Sequence, residues 1–222
     1  NDRYCVNYVS GSVIKMPDKL DVHEGSGPNK KRQESAHTHF VAVTPDKKYV
    51  LVTDLGMDKI FVYTRELELV RTVDTPRGHG VRHLIFSEDS RYLFAVNELE
   101  STVSAFSYDD GRLELIDTAS ALPEDFEGYS IAAAIRHHKG HIYVSNRGHD
   151  SLAKLSFDGK KLSLLNTYQC GGSEPRDFDF FGEFVIFTNI AGNNVTVFRV
   201  KDNGLEQTDE IKLEQPLCVS AI

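Results

Sequence analysis

The sequence predicts an all-β protein, a β-propeller built from four-stranded antiparallel blades. Three observations carry this reading. An aromatic or apolar run ending in Asn or Asp recurs as YCVN, VLVTD, LFAVN, IYVSN and VIFTN, closing at Asn7, Asp54, Asn97, Asn146 and Asn189. The intervals are 47, 43, 49 and 43 residues, with no helical periodicity between them; a period in the forties made of short strands is the signature of propeller blades. Asp-Gly or Asn-Gly dipeptides at Asp110-Gly111, Asp158-Gly159 and Asn203-Gly204 then fall where a third strand should hand over to a fourth, the place for a tight hairpin.

Within each repeat the strands follow from runs of Val, Ile, Phe and Tyr set off by turn residues. In the second repeat HFVAVT, YVLVT, KIFVYT and LELVRTV are separated by PDKK and DLGMD. The third supplies RHLIF, YLFAV, TVSAFSY and LELIDT, the fourth IAAAIRH, HIYVS, SLAKLSF and LSLLNTY. The fifth supplies RDFDFF, FVIFT, NVTVFRV and a strand near Glu210–Leu213, and PLCVSAI at the end occupies the place of a further first strand. The absence of Trp argues against the WD40 version of the fold. About five blades are visible. The opening YCVNYVSGSV reads as strand from the middle of a domain, so N-terminal sequence is expected to be missing, with further gaps conceivable at Met16–Lys31 and Arg65–Leu67.

Composition narrows the function. The 222 residues are 40% hydrophobic and 26% charged, with 33 Asp and Glu against 25 Lys and Arg, a net charge of −8. That balance argues against nucleic acid or an anionic membrane bound through bulk charge, though a local Arg cluster still suits a small anionic substrate. No apolar run approaches the roughly 18–20 residues of a membrane-spanning helix. Cys5, Cys170 and Cys218 are odd in number and contain no CxxC, which fits a reducing, cytoplasmic setting and three buried packing residues. A secreted or periplasmic location stays open because the start reads as missing.

In such a blade, the start of the innermost strand and the end of its neighbour lie at the same end of the propeller's central channel, where ligands collect. After the repeating Asn or Asp stand Leu55, Glu98, Arg147 and Ile190; at the start of the innermost strand stand His39, Arg82 and Arg176. Arg82 should lie almost opposite Asn97 and Glu98, and one end of the channel is expected to gather His39, Arg82, Glu98 and Arg147. Inter-blade ion pairs are the structural alternative. The long Gly-rich segment HEGSGPNKKRQESAHTH, holding Glu24, His37 and His39, reads as a loop covering a site. His37 and His39 share a face if they lie on a strand, but no third metal ligand is fixed by spacing. His149 and Asp150 would orient Arg147 or structure their own loop. His137, His138 and His141 flank a turn at the opposite end and read as solvated.

HEGSGPNKKRQESAHTH, PDKKYVLVTDLGMDKIFVY, VRHLIFSEDSRYLFAVNELESTVSAF, IYVSNRGHDSLAKL and NVTVFRV together resemble the lactonase-type seven-bladed propellers. These include bacterial cycloisomerase-type 6-phosphogluconolactonases and, more distantly, carboxy-cis,cis-muconate cyclases. The resemblance implies seven blades, so about two are lacking, and a catalytic set of His39 (or His37), Arg82, Glu98 and Arg147; His37, Arg176 and His149 are further expected to bind substrate. One departure is Ala134, where relatives often carry an acidic residue. The implied reaction is hydrolysis of a small anionic sugar lactone, 6-phosphogluconolactone in the pentose phosphate pathway, with no cofactor and no metal required. Glu98 is expected as general base, His39 as the donor to the leaving oxygen, and Arg82 and Arg147 on the oxyanion and the phosphate. A muconate-cyclase-like cycloisomerase and a non-catalytic ligand- or protein-binding propeller are the alternatives.

Overall fold

A computed structural model describes residues 2–201 and 204–220. They form nineteen strands in five antiparallel sheets, and the chain divides into two compact units, residues 1–118 and 119–222. In the first unit, β1 (Tyr4–Asn7), β2 (Ser12–Lys15) and β3 (Lys19–Val22) make a three-stranded sheet. Strands β4 (Thr38–Val43), β5 (Tyr49–Asp54), β6 (Lys59–Thr64) and β7 (Leu69–Asp74) make the next. A third contains β8 (Val81–Phe86), β9 (Tyr92–Asn97), β10 (Thr102–Asp109) and β11 (Arg112–Ser120), whose last residues cross the unit boundary. The second unit holds β12 (Ile131–His138), β13 (His141–Arg147), β14 (Ser151–Phe157) and β15 (Leu162–Gln169), then β16 (Pro175–Phe181), β17 (Phe184–Asn189), β18 (Asn194–Lys201) and β19 (Gly204–Lys212).

Each sheet is a simple meander, as short turns between neighbouring antiparallel strands require. The apolar second and third strands are buried on both faces, because sheets stack face to face within each unit. Leu51, Ile60 and Val62 of one sheet meet Leu84, Leu93 and Phe106 of the next, and Ala134, Leu152, Phe178 and Phe187 do the same in the second unit. Fourth strands carry alternating exposed residues, as β7 shows with only Arg71 and Val73 partly buried.

Several expectations are corrected. The first sheet has three strands, because YCVN occupies the second-strand position of the other repeats and no first strand precedes it among the described residues. The fifth repeat's last strand starts earlier, at Gly204, paired along the whole of β18. Residues 216–220 form no strand; Val219 N–H donates instead to Asp177 Oδ2 at 3.2 Å, and the last two residues of PLCVSAI lie outside the described residues. Of the hairpin dipeptides, Asp110 and Gly111 both take positive φ, as a type I′ turn needs. At Asp158-Gly159 only Gly159 does, while Asp158 Oδ1 accepts the amides of Lys160 and Lys161. Asn203 lies outside the described residues. Cys5 and Cys218 are exposed and only Cys170 is buried, its thiol pushed up to about 12 chiefly by burial. His138 is not solvated: its ring stacks on Phe180 at 4.1 Å, and burial, then the Lys139 and His137 charges, lower its pKa.

Candidate active site

The ladder between first and second strands breaks at one recurring place. Thr38 pairs with Asp54 and Phe40 with Thr53, leaving His39 bulged out between them. Val81 pairs with Asn97 and His83 with Val96, leaving Arg82; Pro175 pairs with Asn189 and Asp177 with Thr188, leaving Arg176. A bulge adds one unpaired residue to a strand and re-aims its side chain. The three residues read from the sequence as starting the innermost strand are therefore the bulged ones. In β12 the irregularity spans Ala133 and Ala134 instead. The carbonyl freed by the Arg82 bulge is satisfied by the buried Thr53 hydroxyl at 2.7 Å.

In the first unit the Arg82 bulge creates a charged cluster. Arg82 Nε donates to Glu98 Oε2 at 2.8 Å, and Arg32 Nη2 donates to Glu98 Oε1 at 2.5 Å. Both carboxylate oxygens are engaged by guanidinium groups. Glu98 and Arg82 are almost wholly buried, with side chains 4% and 3% exposed, whereas Arg32 at 35% carries the cluster to the surface. Burial acts to lower the Arg32 pKa, but hydrogen bonds to Glu98 and Tyr8 outweigh it and raise the net value. Arg82 Nη1 lies 3.1 Å from His83 Nε2; the His83 ring meets His39 at 5.1 Å, and His39 meets Tyr8 edge-on at 5.8 Å. Arg32, Glu98, Arg82, His83, His39 and Tyr8 are thus joined side chain to side chain in one cluster.

The segment between His23 and His39 is ordered by its own hydrogen bonds. Asn29 Oδ1 accepts the amides of Lys31 and Arg32, an Asx turn. The fully buried Gln33 donates to Leu55 O at 2.8 Å and to Asp58 Oδ1 at 2.7 Å. Asp58 also accepts the amides of Gly78 and Gly80, and Gly80 O accepts the Glu98 amide at 2.8 Å. Arg32 and Glu98 are therefore positioned through a shared set of contacts. Gly56 permits the loop's close approach: a Cβ there would lie 1.9 Å from Ser35 O and 2.8 Å from His37 N. Gly56→Ala is expected to lower stability by about 1–3 kcal/mol, the usual cost of overpacking, read as a lower melting temperature; an unchanged melt would remove this packing account.

His39, Arg82 and Glu98 are brought together in this way. His37, the alternative to His39, is buried, stacks on Tyr8 at 4.4 Å, and has Nδ1 against Tyr8 O and Nε2 against Glu34 Oε1. It precedes the strand and His39 bulges from it, so the shared face expected of a His-x-His pair does not form. Arg147, Arg176 and His149 belong to the second unit. Arg147 is buried at the repeat position that Glu98 holds, and its Nη2 donates to Ala132 O at 3.0 Å. His149 Nδ1 lies 2.7 Å from Ser151 Oγ, with its ring edge-on to Phe126. Asp150 structures its loop by accepting the Gly148 and Glu174 amides. Sequence reading missed Arg32, Tyr8 and His83. The neighbouring VRH triplet was a usable signal for His83; for Arg32 there was only a basic run, KKR.

Comparison with known proteins follows the same lines. A family model described as lactonase, 7-bladed beta-propeller, matches residues 7–221. An uncharacterized Staphylococcus aureus protein is 35% identical over 212 residues, covering 90% of this chain and 62% of its own length. An uncharacterized Staphylococcus saprophyticus protein is 37% identical over 183 residues, 79% of this chain and 53% of the relative. The chain thus spans a little over half the length of these curated relatives. Among solved structures, the Pseudomonas aeruginosa periplasmic gluconolactonase superposes with a TM-score of 0.87 at 30% identity, covering 97% of this chain and 68% of that one. A candidate 6-phosphogluconolactonase of Bacteroides fragilis gives 0.86 at 28%, covering 98% and 69%. With its repeated antiparallel blades and a family match across nearly all of its residues, the chain belongs to the seven-bladed β-propeller lactonase family.

Proposed function

We propose that the protein hydrolyses a sugar-acid lactone, with 6-phosphogluconolactone as substrate, and that the cluster around Glu98 belongs to its catalytic machinery. The observation that carries the reading is the pair of guanidinium groups fixed on one buried carboxylate beside a half-buried histidine. Lactone opening needs a group that moves a proton and fixed donors where negative charge develops on the carbonyl oxygen. His39 takes the proton of the attacking water and returns it to the ring oxygen as the acyl–oxygen bond breaks. Arg32 and Arg82 stabilise the oxyanion and hold an anionic substrate.

The geometry favours a different role for Glu98 from the general base expected of it. Each of its oxygens already accepts a guanidinium hydrogen bond, an arrangement that suits a carboxylate anchoring two arginines. Glu98 instead fixes the two arginines. The gluconolactonase and the candidate 6-phosphogluconolactonase among the structural relatives support a sugar-lactone substrate.

The test is a lactonase assay on the complete protein with phosphorylated and unphosphorylated gluconolactones, spontaneous opening subtracted. Run in heavy-oxygen water, hydrolysis places solvent oxygen in the product and cycloisomerisation does not. Arg32→Ala should raise KM roughly 10- to 100-fold, the worth of one charge-assisted hydrogen bond. An unchanged KM would take Arg32 out of the substrate site.

A further inference from the structure

Asp54 departs from its equivalents in the other repeats. Asn97 and Asn189 donate their side-chain amides to the hydroxyls of Ser104 and Thr196, seven residues on. Asp54 has no N–H to donate, and the residue seven further on is Phe61. His23 fills the gap: it stacks on Phe61 at 3.7 Å and places Nδ1 2.7 Å from Asp54 Oδ2. The other oxygen, Asp54 Oδ1, accepts the His37 amide at 2.8 Å. One carboxylate, fully buried, therefore holds both ends of the segment that carries Arg32 to Glu98.

The hydrogen bonds continue outward. His23 Nε2 lies 2.8 Å from Tyr63 Oη, and Tyr63 Oη donates to Asp21 Oδ2 at 2.7 Å. Asp54, His23, Tyr63 and Asp21 make three links, and each link needs one proton. A phenol supplies one and a neutral imidazole one, while carboxylates supply none. The complete chain therefore contains a third proton, which an imidazolium at His23, donating from both ring nitrogens, supplies. Burial and the hydrogen bond to Asp21 push the Tyr63 phenol well above its ordinary range, so it keeps its own proton. The titratable groups facing His23 are Asp54 from β5, Tyr63 from β6 and, through Tyr63, Asp21 from β3. The exposed Glu24 is its sequence neighbour, and the β1–β2 turn contributes the Gly11 carbonyl, which accepts the His23 amide.

We propose that His23 and Asp54 are a positioning pair for the lactonase site, and that their hold on the Arg32 segment depends on an imidazolium with both ring nitrogens protonated. As pH rises and His23 loses a proton, one of the three links breaks, the segment loosens, and Arg32 is less well held. The functional part rests on the lactonase reading; the proton count does not.

Asp54→Asn separates the possibilities. Asparagine can donate to Nδ1 of a neutral His23 while its oxygen keeps the His37 amide, so every link survives with no extra proton. Nitrogen NMR of ring-labelled protein, recorded for both at one pH, should show both His23 nitrogens protonated in wild type and only one in the Asn variant. The protection factor of the His37 amide should fall as His23 titrates in wild type and stay level in the variant. The kcat/KM profile should carry the rising limb set by His39 in both proteins, and a decline with rising pH, about tenfold for one lost hydrogen bond or somewhat less, in wild type alone. A single protonated nitrogen in wild type, or the same decline with rising pH in both proteins, overturns the proposal. Absence of lactonase activity would defeat the functional reading alone, because the NMR and exchange measurements still decide the proton count.

Discussion

His39→Asn is expected to lower kcat for lactone opening by about 10²–10⁴-fold, the usual contribution of a general acid–base group. KM should change little, because the substrate's charge is held by the arginines. The side chain projects from a bulge and has no place in the β4–β5 pairing, so the ladder should survive its replacement. A melting temperature close to wild type, with turnover lost, would assign His39 to the chemistry. Turnover near wild type after subtraction of spontaneous opening would move the proton-handling role elsewhere and end the mechanism given above.

The second large effect concerns Glu98. In Glu98→Ala, the Arg82 guanidinium, 3% exposed, loses its carboxylate, and Arg32 is released toward solvent. Removing one partner of a buried pair typically costs about 3–5 kcal/mol because the remaining charge is left uncompensated. For a chain of this size that corresponds to a melting temperature lower by roughly 6–20 °C. Glu98→Gln preserves shape and one acceptor oxygen, so the fold should survive. A positioning carboxylate predicts that this variant raises KM as well as lowering kcat, because both arginines lose their anchor. A general base predicts a kcat loss at constant KM. That split, measured on the phosphorylated lactone, decides between the role expected from sequence and the role favoured by geometry.

The fold was legible because its repeat is long and regular. The closing Asn or Asp marks each second strand, and the strands read from the sequence coincide closely with those observed in four of the five sheets. Glu98 was legible for the same reason, since it follows a repeating Asn. The bulges were not, because His39, Arg82 and Arg176 are each the second residue of their strand, too near its end for the break in alternation to show. Arg32 and Tyr8 were illegible for a different reason: their placement depends on contacts such as Gln33 with Asp58, 25 residues apart in sequence, that no local pattern encodes. Cys5 was expected inside, yet β1 alternates between half-buried and exposed positions and Cys5 takes an exposed one.

The recurring interruption beside the closing Asn or Asp has a consequence for how such proteins diversify. The same backbone detour accommodates histidine at 39 and arginine at 82 and 176, because the ladder makes no demand on the side chain there. Chemistry can therefore be exchanged at these positions by single replacements, with the scaffold indifferent to the outcome, and a new specificity need not be bought with a new fold.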